Sequence, residues 1–522
     1  MKKITYILST LLILSTSLFA QSEVDALRFS REDLQGTARS MSMGGAFGAL
    51  GGDQTAISIN PAGIAVYRSS EVVGTLNLSQ ERSGAGSQDA YKTRFDMDNL
   101  GFVGYFPLRN DVIPLVNFGF SYNRLKSFDK NISAIGPAAS TLIDYIADRS
   151  AGIDPIDLEM GDNLPDPFET QPWLSVLGYN SYLINPVYHP EEDWYTYDPV
   201  NTFGEAAIGE IRTKERGQID NYDFTVGTTI NHVLNLGLSL SIKDITYSLA
   251  SDYLEDFDNG GYTLTNWLTT SGAGVSAKFG AIYRPVSFLR VGIAYHTPTW
   301  YTLTDTYEAQ IDDDMGAYVT DPDYEPAVTY SKVFINDYDL KTPGKFVASI
   351  AGVFGDNFIA SIDYEWVDYS KMELNLPSDS FDDPSHYDPD NEYISMDFRP
   401  ASTVKTGLEY RFTPRFYGRL GYAWMQNPYE PEFIDNGNAA VAGSNTIYRM
   451  EGDTNYFTGG LGYRFSRNFF IDFAVVYKTQ TDDLYPFPNL WTENGEELVI
   501  DASPFTLENS SMRGLITVGY KF

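Results

Sequence analysis

The chain has 522 residues, a formal net charge of −34, no cysteine and four histidines. An acidic chain has the wrong sign to follow nucleic-acid phosphates, and the absence of cysteine excludes disulfides, thiolate metal sites and a cysteine nucleophile. Aromatic residues make up 15% of the chain, and 44 residues are glycine. This composition favours many strands that have one apolar and one polar face.

The first 20 residues have the layout of a secretory signal peptide. Lys2 and Lys3 precede an apolar stretch over 4–19, and Ala20 marks the expected cleavage site. The alternative is an N-terminal membrane anchor, but this stretch is shorter than the roughly 20 apolar residues that a spanning helix needs. No later stretch approaches that length, so we expect an exported chain without a helical anchor.

Residues 21–69 show no strand-like alternation. Five glycines lie between positions 44 and 52, and glycine allows a chain to pack closely against other backbone. The pair Gly44-Gly45 is not followed by the Lys-Ser/Thr of a phosphate loop, which excludes that kind of nucleotide site. The segment is compact and of the right size to sit inside a barrel.

Apolar and polar residues alternate along most of the chain after residue 69. Over 234–243, for example, Leu and Ile take every second position, and Asn, Gly, Ser and Lys take the others. Strands of a soluble sandwich alternate too, but the glycine- and serine-rich polar face and the aromatic ends of the apolar face are typical of outer-membrane barrels. The 14 predicted strands are 70–80, 97–107, 114–127, 218–231, 234–252, 271–284, 287–309, 338–354, 357–375, 393–412, 415–429, 453–466, 468–481 and 506–522.

Short and long connections alternate between these strands. Long connections face the outside in bacterial outer-membrane proteins, and closure of the sheet removes the unpaired edges that a bilayer does not tolerate. We therefore predict an all-β protein, a 14-stranded antiparallel transmembrane β-barrel over 70–522, in the outer membrane of a Gram-negative bacterium. The bilayer is its expected partner. The largest loop, 128–217, has a helical pattern over 138–149 and is either a capture surface or a cap that packs on itself.

Acidic residues collect in two of the long loops. Clustered carboxylates are what calcium binds, and solvated loop surface is the alternative that we favour. The residues are Asp312, Asp313, Asp314, Asp321, Asp323, Asp379, Asp382, Asp383, Asp388 and Asp390.

The stretch 38–63 resembles the FadL-type outer-membrane transporters, which include long-chain fatty-acid and aromatic-hydrocarbon channels. The resemblance rests on Gly44-Gly45-Ala46, Asp53 and Asn60-Pro61-Ala62, placed before a predicted 14-stranded barrel. It implies that 21–69 form a hatch in the lumen, gated by Gly44, Gly45, Asp53, Asn60, Pro61 and Ala62. It also implies capture of substrate at the outer loops and a sideways exit near a kinked third strand. That strand, 114–127, shows no kink signal beyond Gly119.

The alternation assigns more basic than acidic side chains to the lumen. The inward basic residues are Lys243, Lys278, Arg290, Lys405, Arg411, Arg419, Arg464, Lys478, Arg513 and Lys521, and the acidic ones are Asp223, Asp363, Glu365, Glu409 and Asp472. Guanidinium groups bind carboxylates bidentately. Arg411, Arg419 and Arg464, on three neighbouring strands, are therefore candidates for binding a fatty-acid head group. Alternatively, the lumen cations hold the hatch through Glu32, Asp33 and Asp53.

These patterns predict passive transport of hydrophobic or amphipathic, fatty-acid-like molecules through a hatch-gated monomer. The lumen charges look few, so we expect an apolar cargo with at most one acidic group. No Gly-x-Ser-x-Gly motif is present, and we expect neither catalysis nor a metal, a cofactor or a nucleic-acid partner. The alternative function is that of a haem receptor, although the histidines are scattered: His189, His232, His296 and His386.

Overall fold

The computed structural model describes residues 22–522 except 162–163, 192, 202–206, 317, 320–323, 356, 379, 381–382, 384, 435–442 and 493–497. The predicted signal peptide, 1–20, lies outside these residues. Among the helices of the described chain, none is both long enough and apolar enough to cross a membrane.

Most of the described chain is one large antiparallel sheet. Its strands are β1 (Glu71–Ala85), β2 (Gln88–Pro107), β3 (Leu115–Ser127), β4 (Lys130–Ala138), β7 (Ala207–Ile230), β8 (Leu234–Phe257), β9 (Gly260–Val286), β10 (Leu289–His296), β11 (Trp300–Asp314), β12 (Val328–Tyr330), β13 (Phe334–Lys341), β14 (Lys345–Phe354), β15 (Phe358–Asp368), β16 (Glu373–Asn375), β17 (Pro400–Arg411), β18 (Phe416–Met425), β19 (Tyr448–Arg464), β20 (Phe469–Tyr485) and β23 (Phe505–Lys521). Two ribbons lie outside the sheet: β5 (Ile184–His189) with β6 (Trp194–Pro199), and β21 (Leu490–Trp491) with β22 (Leu498–Ile500).

The sheet closes into a barrel because β1 pairs with β2 on one side and with β23 on the other. Four of its positions are occupied by interrupted strands: β3 with β4, β10 with β11, β12 with β13 and β14, and β15 with β16. Each group pairs along the same neighbouring strand or strands. The 19 strands of the sheet thus make 14 positions around the described wall. The predicted closed 14-stranded barrel is confirmed.

The two faces of the wall differ as the alternation predicts. On β8, Leu240 is 60% exposed on the outside, whereas Ser239 next to it is fully buried on the inside. Aromatic pairs flank short turns, with ring centroids 5.7 Å apart for Phe412 and Phe416 and 5.5 Å apart for Phe465 and Phe469. An outer apolar band edged by aromatic rings is the pattern of a barrel in lipid.

Several strands are longer than predicted. The loop expected over 128–217 is shorter, because its first part forms β4 and its last part belongs to β7. In the first hairpin, β1 and β2 likewise extend beyond the predicted strands through 81–85 and 88–96. Outward positions of these added strand ends carry exposed polar residues, such as Arg212 and Lys214 on β7, because the strand ends meet water rather than lipid. The apolar alternation that marks a strand is lost at that height.

Short helices lie before the barrel and in its long loops. They are α1 (Glu23–Ser30), α2 (Ala38–Met41), α3 (Gln54–Ile59), α4 (Leu142–Arg149), α5 (Pro155–Leu158), α6 (Trp173–Asn180) and α7 (Asp388–Asp397), with 3-10 helices at Pro61–Val66, Pro167–Glu169, Tyr369–Lys371 and Pro431–Ile434. The prediction of a strand over 393–412 is wrong at its start, where α7 ends. The helix predicted over 138–149 is present as α4. Its buried residues, including Tyr145 and Ile146, share an apolar cluster with Trp173 and Leu177 of α6, so this loop packs on itself.

Candidate functional site

The N-terminal segment, residues 22–70, lies inside the lumen against the polar face of the wall. Thr517 of β23 accepts the backbone N–H of Ala38 at 2.7 Å, and Asp363 of β15 accepts that of Gly48 at 2.7 Å. Asn117 of β3 donates to the carbonyl of Ile64 at 2.8 Å. Side chains of distant wall strands thus form hydrogen bonds with backbone groups of the buried segment, as a buried irregular chain requires.

Glycines of the wall make room for this segment. A Cβ on Gly280 would lie 2.9 Å from Pro61 Cδ, and one on Gly407 would lie 2.7 Å from Met43 Cβ. A Cβ on Gly237 or Gly421 would overlap Pro61 or the backbone at Met43-Gly44. The sequence analysis did not identify these glycines as site residues. Their place on the inward face of alternating strands is the signal that could have identified them.

Asn60 joins the segment to the wall through its side-chain amide. Nδ2 donates to the carbonyl of Gly48 at 2.8 Å and lies 3.3 Å from the carbonyls of both Ala281 and Ile293 in the wall. Its Oδ1 accepts the N–H of Ala62 at 3.1 Å and caps the 3-10 helix that Pro61 begins. Asn60 is buried, so one buried side chain joins two parts of the segment to two wall strands.

The other candidate hatch residues are also buried. Gly44 and Gly45 have φ of 63° and 76°, the left-handed region that glycine favours. A Cβ on Gly44 would come within 2.8 Å of wall carbonyls. Asp53 caps α3 through the N–H of Thr55 at 3.0 Å and accepts a hydrogen bond from Thr37 Oγ1 at 2.8 Å. Burial raises the pKa of Asp53 despite the nearby Arg39 charge.

Ion pairs also join the segment to the wall. Glu32 lies 2.8 Å from Lys243 and 2.6 Å from Lys345, and Asp33 lies 3.0 Å from Lys478. Burial alone would raise the pKa of Glu32, but the two lysine charges outweigh it and hold this pKa well below its usual range. At Asp33 the charge of Lys478 likewise outweighs burial and lowers the pKa, so both carboxylates are ionised at neutral pH. This supports the alternative that lumen cations hold the segment.

The segment divides the lumen into cavities. The outer cavity, near the long loops, encloses about 1470 Å³ of empty space, part of it open to solvent, and the middle cavity about 1350 Å³. A smaller inner cavity of about 530 Å³ lies near the short turns. Apolar groups such as Leu27, Phe128 and Tyr247 line the outer cavity. Its basic residues are Arg28, Arg31, Arg82, Arg94, Lys126, Lys130, Arg449, Lys478 and Arg513, and its acidic residues are Asp33, Glu81, Asp129, Glu215 and Glu451.

The lumen is therefore more highly charged than the sequence suggested. Many of these charges stand at strand ends or in the N-terminal segment, where no alternation marked them as inward. Basic groups are in excess in the outer cavity. The expectation of few lumen charges is wrong. Any inference about the cargo therefore has to rest on the observed lining of the cavities.

The three candidate arginines lie together at the short-turn end. The guanidinium carbons of Arg411, Arg419 and Arg464 are 5.9, 5.8 and 5.2 Å from the ring centre of Tyr417. Arg419 is buried and pairs with Glu409 and Asp472, each at 2.6 Å. Glu409 also pairs with Arg39 of the segment at 3.1 Å. Arg464 lines the inner cavity and is exposed.

We expect Arg419→Met to destabilise the protein by about 3–5 kcal/mol, because the substitution leaves Asp472 buried without this partner. Arg411→Met, at a half-buried side chain beside a turn carbonyl, should cost less than about 1 kcal/mol. Urea unfolding of the reconstituted barrel measures both. Equal midpoints for the two variants would contradict a structural role for Arg419.

The wall has a seam beside its third position. The ladder between β2 and β3 stops at Asn99 and Asn123, and the chain bulges between Arg124 and Lys126 before it breaks at 128–129. Ion pairs bridge the seam, with Arg124 2.7 Å from Asp96. Gly119 is not the cause of this break: it faces Ile64 of the N-terminal segment, whose Cδ1 would lie 2.7 Å from an added Cβ.

The described residues contain no group of three or more His, Cys, Asp or Glu side chains arranged to hold a metal ion. Of the acidic loop residues, Asp321, Asp323, Asp379 and Asp382 lie outside the described chain. His296 is buried against the carbonyl of Ile59 at 2.9 Å, whereas His189 and His232 are exposed.

A family model described as outer membrane protein transport protein (OMPP1/FadL/TodX) matches residues 218–496. Among solved structures, a Pseudomonas aeruginosa FadL homologue aligns with 94% of this chain and 99% of its own, at 13% identity and a TM-score of 0.53. The toluene transporters TodX of Pseudomonas putida and TbuX of Ralstonia pickettii cover the same shares, at 12% and 15% identity and TM-scores of 0.49 and 0.48. No curated protein matches the chain.

These findings confirm the resemblance that the sequence suggested, the barrel and the outer-membrane location. They give no support to a haem receptor. The family model covers more than half of the chain. The chain therefore belongs to the OMPP1/FadL/TodX family of outer membrane transport proteins.

Proposed function

We propose that this protein carries amphipathic molecules, with a long apolar part and an anionic head group, passively across the outer membrane. The family supports a channel for hydrophobic compounds. The observation that carries the finer proposal is the outer cavity, where Leu27, Phe128 and Tyr247 stand beside an excess of basic groups. Apolar side chains bury an acyl chain, and cations bind its carboxylate. We assign no catalytic residue, cofactor or metal to the chain.

The proposed route begins at the long loops and enters the outer cavity. We propose that residues 21–69 act as a hatch, and that Gly44, Gly45, Asp53 and Asn60-Pro61-Ala62 hold it closed. Support comes from the wall hydrogen bonds of Asn60 and from the wall glycines that fit the segment. Its movement would open the way from the outer to the inner cavity.

Two exits follow from this route. The seam between β2 and β3 borders the outer cavity through Arg94 and Ser127, and we propose it as the sideways exit. The second exit leads to the short-turn end, where Arg411 and Arg464 remain candidates for contact with a head group. Arg419 is less available, because Glu409 and Asp472 occupy its guanidinium.

A titration with fatty acids of graded length tests the proposed cargo. Each buried CH₂ contributes about 0.8 kcal/mol, so affinity should rise about fourfold per CH₂ until the apolar space is filled. Intrinsic tryptophan fluorescence or calorimetry on the purified barrel gives the binding constants. Equal affinity for short and long chains would contradict the proposal, and the Arg411→Met and Arg464→Met variants locate any head-group contact at the inner end.

A further inference from the structure

Residues 31–35 form a strap between the outer and middle cavities. The chain here has neither helix nor strand. Arg31 lines only the outer cavity, Glu32 and Leu34 line only the middle one, and Asp33 and Gln35 line both. Because consecutive residues of one extended chain face both cavities, the strap is a one-chain-thick partition. A molecule that passes from one cavity to the other has to move it.

The strap is held mainly by charge. Glu32 is bound between Lys243 of β8 and Lys345 of β14, and Asp33 is bound by Lys478 of β20, which lies in another part of the wall. Tyr456 donates a further hydrogen bond to Asp33 at 3.2 Å. The lysines are largely buried, with side-chain exposures of 11%, 20% and 22%. Removing a carboxylate from them leaves uncompensated charge in a poorly hydrated place.

We propose that Glu32 occupies the binding site of the cargo's anionic head group between Lys243 and Lys345, and that this head group opens the strap by replacing Glu32 on these two lysines. This inference rests on the proposed transport function and extends it to the control of passage. A carboxylate, sulfate or phosphate head group restores the negative charge that Lys243 and Lys345 lose when Glu32 moves away. A neutral alcohol or hydrocarbon does not, so the closed strap selects for anionic amphiphiles.

The test compares a long-chain carboxylic acid with the primary alcohol of the same length. Uptake is measured in cells that express the full chain, and the uptake by cells that lack the chain is subtracted. We expect the wild type to take up the acid at least about tenfold faster than the alcohol, since only the acid compensates the lysines. In the isosteric double variant Glu32→Gln/Asp33→Asn, alcohol uptake should rise and the ratio fall to within about twofold of one.

A matched control removes a buried carboxylate that does not belong to the strap. Glu71 pairs with Lys521 at 3.2 Å near the short turns, and neither residue lines the outer or the middle cavity. Glu71→Gln should keep the wild-type ratio. Lys243→Met/Lys345→Met removes the proposed head-group site from the other side and should also bring the ratio close to one. Heat-modifiable electrophoretic mobility shows for each variant that the barrel has assembled.

The outcomes separate the strap from the transport function. A ratio that stays at the wild-type value in both assembled double variants overturns the charge-operated strap. A wild-type ratio near one, with both compounds taken up, overturns it as well and leaves the transport function intact. Uptake of neither compound by the wild type overturns the proposed transport of amphiphiles itself.

Discussion

Replacing Gly421 with valine should open the lumen while leaving the barrel closed. A Cβ at this lumen-facing position would overlap the backbone at Met43-Gly44 and lie 2.7 Å from Thr458 Oγ1. Backbone atoms have no rotamer by which to move aside, so the N-terminal segment has to shift as a whole. We expect entry of a small hydrophilic dye or antibiotic into cells to rise by about tenfold or more, because the displaced segment no longer fills the barrel.

Gly514→Val is the matched control for this experiment. Gly514 lies on β23, and the nearest atom to an added Cβ is the carbonyl oxygen of Leu78 at 4.0 Å. Valine favours strands, so this variant should assemble and keep the wild-type permeability. Suppose that the Gly421→Val protein is heat-modifiable, but cells that carry it are no more permeable than cells with Gly514→Val. That result would show that the segment does not close the lumen.

The barrel was predictable from the sequence where the wall crosses lipid. Over 234–243 the outward residues are leucine and isoleucine because lipid surrounds them, and the inward ones are small or polar because they face the lumen. Above that height, both faces of β7 meet water or other protein. Residues such as Arg212 and Lys214 then remove the period-two signal. The missed strand ends have this one physical cause.

The types of residue in the site were predictable from the sequence, but the ion pairs between them were not. The sequence identified Glu32 and Asp33 as possible partners of lumen cations, and Arg419 as an inward arginine. Which lysine meets which carboxylate depends on the register of strands far apart in the chain: Lys243 and Lys345 meet at Glu32 although 102 positions separate them. No local spacing encodes such a meeting. The break between β3 and β4 at 128–129, beside the seam, was also missed, because no local glycine causes it.

Asn60→Asp should loosen the N-terminal segment. The variant keeps an acceptor for the N–H of Ala62 but loses the donor to the carbonyls of Gly48, Ala281 and Ile293. It also places a carboxylate against these carbonyl oxygens. Loss of the hydrogen bond to the buried carbonyl of Gly48 costs about 1–3 kcal/mol, and an unpaired buried charge costs about 3–5 kcal/mol. Either penalty is enough to release the segment locally without unfolding a closed sheet.

Hydrogen exchange followed by mass spectrometry measures this release directly. We expect peptides from residues 44–66 to exchange at least about tenfold faster in Asn60→Asp, whereas peptides from β8 and β20 keep their protection. Asn468→Asp is the control, since Asn468 makes its hydrogen bond to Lys521 in an exposed short turn. Because the barrel stays assembled, uptake of an amphipathic substrate should change together with the exchange rate. Faster exchange with unchanged uptake would mean that Asn60 stabilises the segment but does not gate passage.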